Sequence, residues 1–172
     1  MIRDLCVGKH LALRADGHWE FAERTNATGG VVILAFTEQD ELILVEQYRP
    51  PVHRRVISLP AGLTGDTDAG EDAAVSARRE LEEETGYRAE RFERLAEGQS
   101  SPGLTSEMMI FFRAEGVRKI EGATIDPDEG ITLHVVPMAT LHAWLRARED
   151  EGLLIDYKIY AALFLARKGD VT

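Results

Sequence analysis

The residues from Gly65 to Tyr87, GDTDAGEDAAVSARRELEEETGY, constrain this chain more than any other stretch. Glu80, Glu82, Glu83 and Glu84 fall within five residues, bounded by Arg79 and by a breaking Gly86. Ala74, Ala77 and Leu81 recur at helical spacing, and Asp68 with Glu71 forms a capping-box pattern. Gly86 stands where a helix C-terminal glycine belongs. The spacing predicts one helix over roughly 70–85. On it Glu80 and Glu84 lie one turn apart with Glu83 beside them, so three carboxylates share a face that borders the apolar stripe. Like charges at i,i+4 repel, and carboxylates in the last turns oppose the helix dipole, each costing about 0.3–1 kcal/mol. A cation should offset this. Arg79 is one candidate; a hard divalent ion held by oxygen ligands is the other, and Mg2+ or Mn2+ suits converging carboxylates. A solvated acidic helix is the plain alternative.

The spacing bears on that choice. Gly65, five residues, Glu71, seven residues, then Arg79-Glu80-Leu81-x-Glu83-Glu84-x-Gly86-Tyr87 resembles the Nudix box, the signature of hydrolases that cleave nucleoside diphosphates linked to another group. The resemblance implies a loop-helix-loop that binds Mg2+ through Glu80, Glu83 and Glu84, with Arg79 and Glu71 mainly structural.

With 172 residues and 44% hydrophobic content, the chain suffices for one well-buried core, so a single domain over 1–172 is expected. The formal net charge of −10, without a Lys/Arg cluster or basic helix, argues against nonspecific nucleic-acid or anionic-membrane binding. Metal ions would let such a protein bind a polyphosphate. Cys6 is the only cysteine, which rules out an intrachain disulfide and suggests a reducing compartment. The N-terminus lacks a signal-peptide apolar core and no apolar run approaches 18 residues. A soluble, cytoplasmic protein is expected.

Residues 5–24 read as a hairpin, turning at Ala15-Asp16-Gly17, with Trp19 and Phe21 on one face of its second strand. Trp19 suits either sheet packing or stacking of a nucleobase. VVILAF and ELILVEQY read as buried strands, and Arg49-Pro50-Pro51 ends the second. Arg49 emerges there, where a guanidinium can clamp a phosphate or form a rim salt bridge. RVISL, a polar-faced 88–98, MMIFFRAEGV and ITLHVV complete the expected strands, separated by the loops GQSSPGLTSE and EGATIDPDEG. Thr140 is placed to cap a helix carrying Leu141, Trp144 and Leu145; a last helix from Asp156 is expected to bury Ile159, Tyr160, Leu163 and Phe164. The pattern predicts an α/β (α+β) fold, helices packed on both sides of a central mixed sheet.

Several outer stretches resemble the ADP-ribose pyrophosphatase branch of the Nudix family: WEFAERT, VEQYRPP, LPAG, SPGLTSE and GLLIDYKIYAALFLARK. The resemblance implies a Nudix-type α/β/α sandwich and a Mg2+-dependent hydrolase (Mn2+ substituting) that splits ADP-ribose or a related nucleoside diphosphate sugar. It also implies a homodimer in which the 1–25 hairpin lies at the interface, placing Trp19 near the partner's base site. Arg24 and Arg49 would face the diphosphate or riboses, Pro102 would line the substrate, and the Ala61 carbonyl would complete the metal shell. Glu129, with Asp126 and Asp128 as alternates, is the implied group that activates water. One departure is visible: Gly62 lies nine residues before Glu71 rather than six, which reads as a three-residue insertion between Leu63 and Gly70. The five histidines show no metal-ligand spacing, and the serines show no nucleophile elbow. Competing readings are hydrolysis of GDP-mannose, another nucleotide sugar or a modified nucleoside triphosphate, or a sensor that binds ADP-ribose without cleaving it.

Overall fold

Alternating and uninterrupted apolar runs give two kinds of strand, and the helices cover the faces those strands leave bare. The computed structural model describes residues 1–65, 70–125 and 130–167. The chain opens with an antiparallel sheet of β1 (Arg3–Val7), β2 (Leu11–Asp16) and β3 (Trp19–Arg24). A two-stranded hairpin was the sequence expectation for this region. Gly8 divides the first run: its amide N–H donates to the Leu11 carbonyl at 2.8 Å and the chain reverses. Every residue of β1 is exposed, Cys6 included.

The expected mixed sheet layer is present as two four-stranded sheets. In the first, β4 (Gly29–Ala35) lies between β7 (Ala61–Thr64) and β10 (Met108–Glu115), and β10 pairs onward with β9 (Arg91–Gln99). Strands β4 and β10 run parallel. The second has the order β12 (Thr132–Pro137), β5 (Glu41–Arg49), β6 (Arg54–Ser58), β13 (Leu154–Ile155). A short pair, β8 (Tyr87–Arg88) with β11 (Arg118–Lys119), follows the central helix.

All seven residues of β4 are buried, and alternate ones feed opposite clusters. Val32 and Leu34 join Leu44, Ile57 and residues of α2 (Leu141–Asp150) and α3 (Lys158–Ala166). Val31 and Ile33 join Ile43 with Ala77 and Leu81 of α1 (Ala73–Thr85). Each fully buried leucine or isoleucine contributes about 1.5–3 kcal/mol, and β4 supplies such residues to both helix layers. Among the described residues no helix is long and apolar enough to cross a membrane.

The helices differ from the sequence expectation in three places. The N-cap of α1 is Asp72, whose carboxylate accepts the Ala74 amide N–H at 2.8 Å, so the helix starts at Ala73; Asp68 lies outside the described residues. Thr140 makes no cap bond, its hydroxyl donating instead to the Pro137 carbonyl. In α3 the packed stripe is Ile159, Ala162, Leu163 and Ala166, while Tyr160 and Phe164, expected in the core, are exposed. That stripe follows the i, i+3, i+4, i+7 spacing of one helix face, so the aromatic residues one position on from Ile159 and Leu163 fall outside it.

A polar cluster crosses the second sheet. Glu46 of β5 accepts from Arg55 Nε of β6, and His134 Nε2 of β12 lies 2.9 Å from its other oxygen. Burial pushes the Glu46 carboxyl up, but the Arg55 and His134 contacts outweigh it and leave it below its ordinary 4.5. A carboxyl held lower in the folded than in the unfolded state stabilises fully above the unfolded value, and that contribution is lost as pH falls through the folded one. The melting-temperature gap between wild type and Glu46→Gln is therefore expected to shrink as pH drops from about 6 towards about 3. A gap that stays constant would show that the charge is not what Glu46 contributes.

Candidate active site

The acidic face is built by α1 and by the strand that runs beneath it. Gly86, at φ 69°, ends the helix in the left-handed conformation that glycine adopts without a Cβ penalty. This termination leaves Glu80, Glu83 and Glu84 in the last turn and a half. Glu80 and Glu84 are only 8% and 6% exposed, whereas the Glu83 side chain is 52% exposed. Glu84 Oε2 accepts the amide N–H of Ala61 at 3.0 Å. Glu80 lies against Gly62: a methyl group on Gly62 would sit 1.9 Å from the Glu80 Cδ. Strand β7 and the helix therefore fit together only because residue 62 has no side chain.

The cation among these carboxylates is Arg79. Its Nη1 donates to Glu80 Oε1 at 2.8 Å and to Glu83 Oε2 at 3.3 Å. Its Nη2 reaches the Leu63 carbonyl at 3.4 Å and lies 3.7 Å from Glu71, which also accepts from the Ser76 hydroxyl at 2.6 Å. Arg79 and Glu71 thus stitch helix to loop, in keeping with the structural roles expected of them. Among the described residues no three carboxylate, imidazole or thiol groups already converge on one point as a preformed metal cage. The donor set is nevertheless that of a hard cation: two buried carboxylates, a third beside them, and positive charge already accommodated between Glu80 and Glu83.

The substrate residues expected from the sequence fall in three places. Trp19, 57% exposed, and Pro102 line one cavity of about 300 Å³ together with Asp16, Phe21, Gly103, Thr105 and Ser106. Arg24 lines a second cavity of about 230 Å³ with Thr28, Gly29, Ser106 and Glu107, and its Nε donates to Glu107 Oε1 at 2.6 Å. Arg49 stands exposed at the end of β5, directly across from Arg54. Glu129, Asp126 and Asp128 lie outside the described residues. Sequence reasoning missed Glu107 and the packing role of Gly62; both sit inside the motifs SPGLTSE and LPAG, in which the resemblance assigns roles only to Pro102 and Ala61.

A profile of the NUDIX domain matches residues 27–157, which takes in α1, both four-stranded sheets and the turn at Ala61. The chain belongs to the NUDIX family. Among its relatives, the "Methanol dehydrogenase activator" of Bacillus methanolicus is 41% identical over 106 residues, covering 61% of this chain and 56% of that protein. The "ADP-ribose pyrophosphatase" of Bacillus subtilis is 34% identical over 122 residues, covering 70% and 64%. The chain thus spans between 56% and 64% of the length of these two relatives. A solved structure described as an ADP compounds hydrolase superposes with a TM-score of 0.73 over 98% of this chain and 90% of that one; at 19% identity it establishes the shared fold. In this NUDIX chain the N-terminal sheet, residues 3–24, precedes the matched region, and its Trp19 and Phe21 face the SPGLTSE loop within it.

Proposed function

We propose that this NUDIX protein hydrolyses the diphosphate of ADP-ribose, or of a closely related nucleoside diphosphate sugar, to a nucleoside monophosphate and a sugar phosphate. One observation carries this reading. Two like-charged carboxylates, Glu80 and Glu84, are buried one turn apart against a glycine that makes room for one of them. Desolvation and repulsion both oppose burying such a pair, even with Arg79 and the Ala61 amide N–H bonded to it. Chemistry on an anionic substrate gives it a purpose.

Glu80, Glu83 and Glu84, with the carbonyl of Ala61, are the proposed ligands of Mg2+, for which Mn2+ can substitute. Such an ion, when bound, screens the diphosphate oxygens and lowers the pKa of water. The protein's own groups do the rest. The Ala61 amide fixes the Glu84 carboxylate, and Arg79 holds Glu80 and Glu83 in register. Trp19 offers a flat face for a base, while Arg24 and Arg49 supply positive charge towards the diphosphate. Water attacks phosphorus, the bridging P–O bond breaks, and Glu129 is the proposed acceptor of the water's proton. The exposed apolar residues Leu5, Val7, Leu11 and Leu13 of the first sheet support a homodimer through that sheet. The acidic charge and the single cysteine support a cytoplasmic setting.

The test is a substrate panel of ADP-ribose, GDP-mannose, UDP-glucose and nucleoside triphosphates, each with Mg2+ or with EDTA, on a preparation whose mass is measured by sedimentation. AMP and ribose 5-phosphate are expected from ADP-ribose with Mg2+ only, from a protein of dimer mass. Product from triphosphates alone would overturn the substrate. Tight binding of ADP-ribose with no product would replace the enzyme with a sensor.

A further inference from the structure

The loop between β9 and β10 forms one wall of both cavities, and its neck is fastened at three points. The Ser100 amide N–H donates to the Glu107 carbonyl at 3.1 Å, closing the neck. The Glu107 carboxylate holds Arg24. The Ser100 carbonyl accepts the hydroxyl of Tyr157, the N-cap residue of α3, at 2.9 Å. Further along, the loop joins the edge of β3, with the Ala22 amide donating to Leu104 at 2.8 Å and the Ser106 amide to Ala22 at 3.1 Å. Ser106 lines both cavities.

We infer that Tyr157 is a positioning residue for substrate: its hydroxyl, bonded to Ser100, sets the loop that divides the Trp19 cavity from the Arg24 cavity. This rests on the proposed function, because the two cavities matter together only for a ligand with a base at one end and a diphosphate beyond it. Tyr157 lines neither cavity. Its ring is 62% exposed and contributes little to the core, so no role in the core accounts for it. The hydroxyl makes a hydrogen bond from the N-cap of α3 to the loop neck, and the main core bonds of the site, Ala61 to Glu84 and Arg79 to Glu80, are independent of it.

The experiment compares wild type, Tyr157→Phe and Tyr157→Ala by calorimetric titration with ADP-ribose in EDTA and by steady-state kinetics with Mg2+. Loss of one hydrogen bond should weaken binding about three- to tenfold in Tyr157→Phe, raise KM by a similar factor and leave kcat within about twofold. Tyr157→Ala should behave the same, since the hydroxyl and not the ring is the contact. Phe binding as tightly as wild type overturns the inference, as does a fall in kcat with KM unchanged. Wild type that binds but does not cleave overturns the proposed hydrolysis while the titrations still decide the role of Tyr157. Wild type that neither binds nor cleaves overturns both.

Discussion

Glu84→Gln is expected to lower the turnover of ADP-ribose by about a hundredfold or more while moving the melting temperature by no more than about three degrees. The amide oxygen of glutamine can still accept the Ala61 N–H that Glu84 accepts at 3.0 Å, so the turn and the helix keep their junction. What disappears is negative charge, in a place that is 6% exposed and where solvent can do little to replace it. Removing an anionic oxygen from a divalent-ion site forfeits several kcal/mol of transition-state stabilisation, and each 1.36 kcal/mol is about tenfold in rate. Steady-state kinetics at saturating Mg2+ and a thermal melt settle the matter. A variant that turns over at close to the wild-type rate would end the assignment of Glu84 to the reaction.

Gly62→Ala should lose activity by steric rather than electrostatic means. The added methyl group would fall 1.9 Å from Cδ and 2.1 Å from Oε1 of Glu80, so one of them has to move. Glu80 is the far end of a flexible side chain and will give way. It leaves its position against the turn and the Arg79 Nη1 that it accepts from at 2.8 Å. A fall in turnover of about tenfold to a hundredfold is expected, with a loss of stability of about 1–3 kcal/mol from the displaced buried carboxylate. Gly98→Ala on β9 is the matching control, because nothing lies within 4 Å of a methyl group there, and it should leave both quantities unchanged. Wild-type turnover in Gly62→Ala, at any Mg2+ concentration, would show that the fit between residues 62 and 80 is not needed.

The acidic face was legible in the sequence because it is local: Glu80, Glu83 and Glu84 lie within one helix whose end Gly86 marks. The start of that helix was less so. Acidic residues crowd the positions before it, the capping pattern fits more than one of them, and only the folded chain selects Asp72. The face of α3 was misjudged for a related reason. Residues 159, 160, 163 and 164 are apolar at nearly the same helical spacing as the buried 159, 162, 163 and 166, and the choice between them is made by tertiary packing, which no local pattern records. Contacts across long separations were beyond reach altogether. Glu46 with His134, Arg24 with Glu107 and Ser100 with Tyr157 each join residues far apart in the chain, so that none has a spacing to recognise. Trp19 and Phe21 fared better, since alternation along a strand is enough to put both on one side.

Strand β4 also carries a consequence for how the protein is made. It is apolar on both faces and is paired along one edge by residues 61–64 and along the other by residues 108–115. During synthesis the first partner emerges from the ribosome soon after β4, but the second follows only when about two thirds of the chain has been translated. Through that interval the nascent protein carries an open, hydrophobic strand edge, the kind of surface that recruits chaperones or draws incomplete chains into aggregates. Truncations that end before residue 108 should inherit that hazard permanently, so soluble expression is best sought from fragments that retain β10.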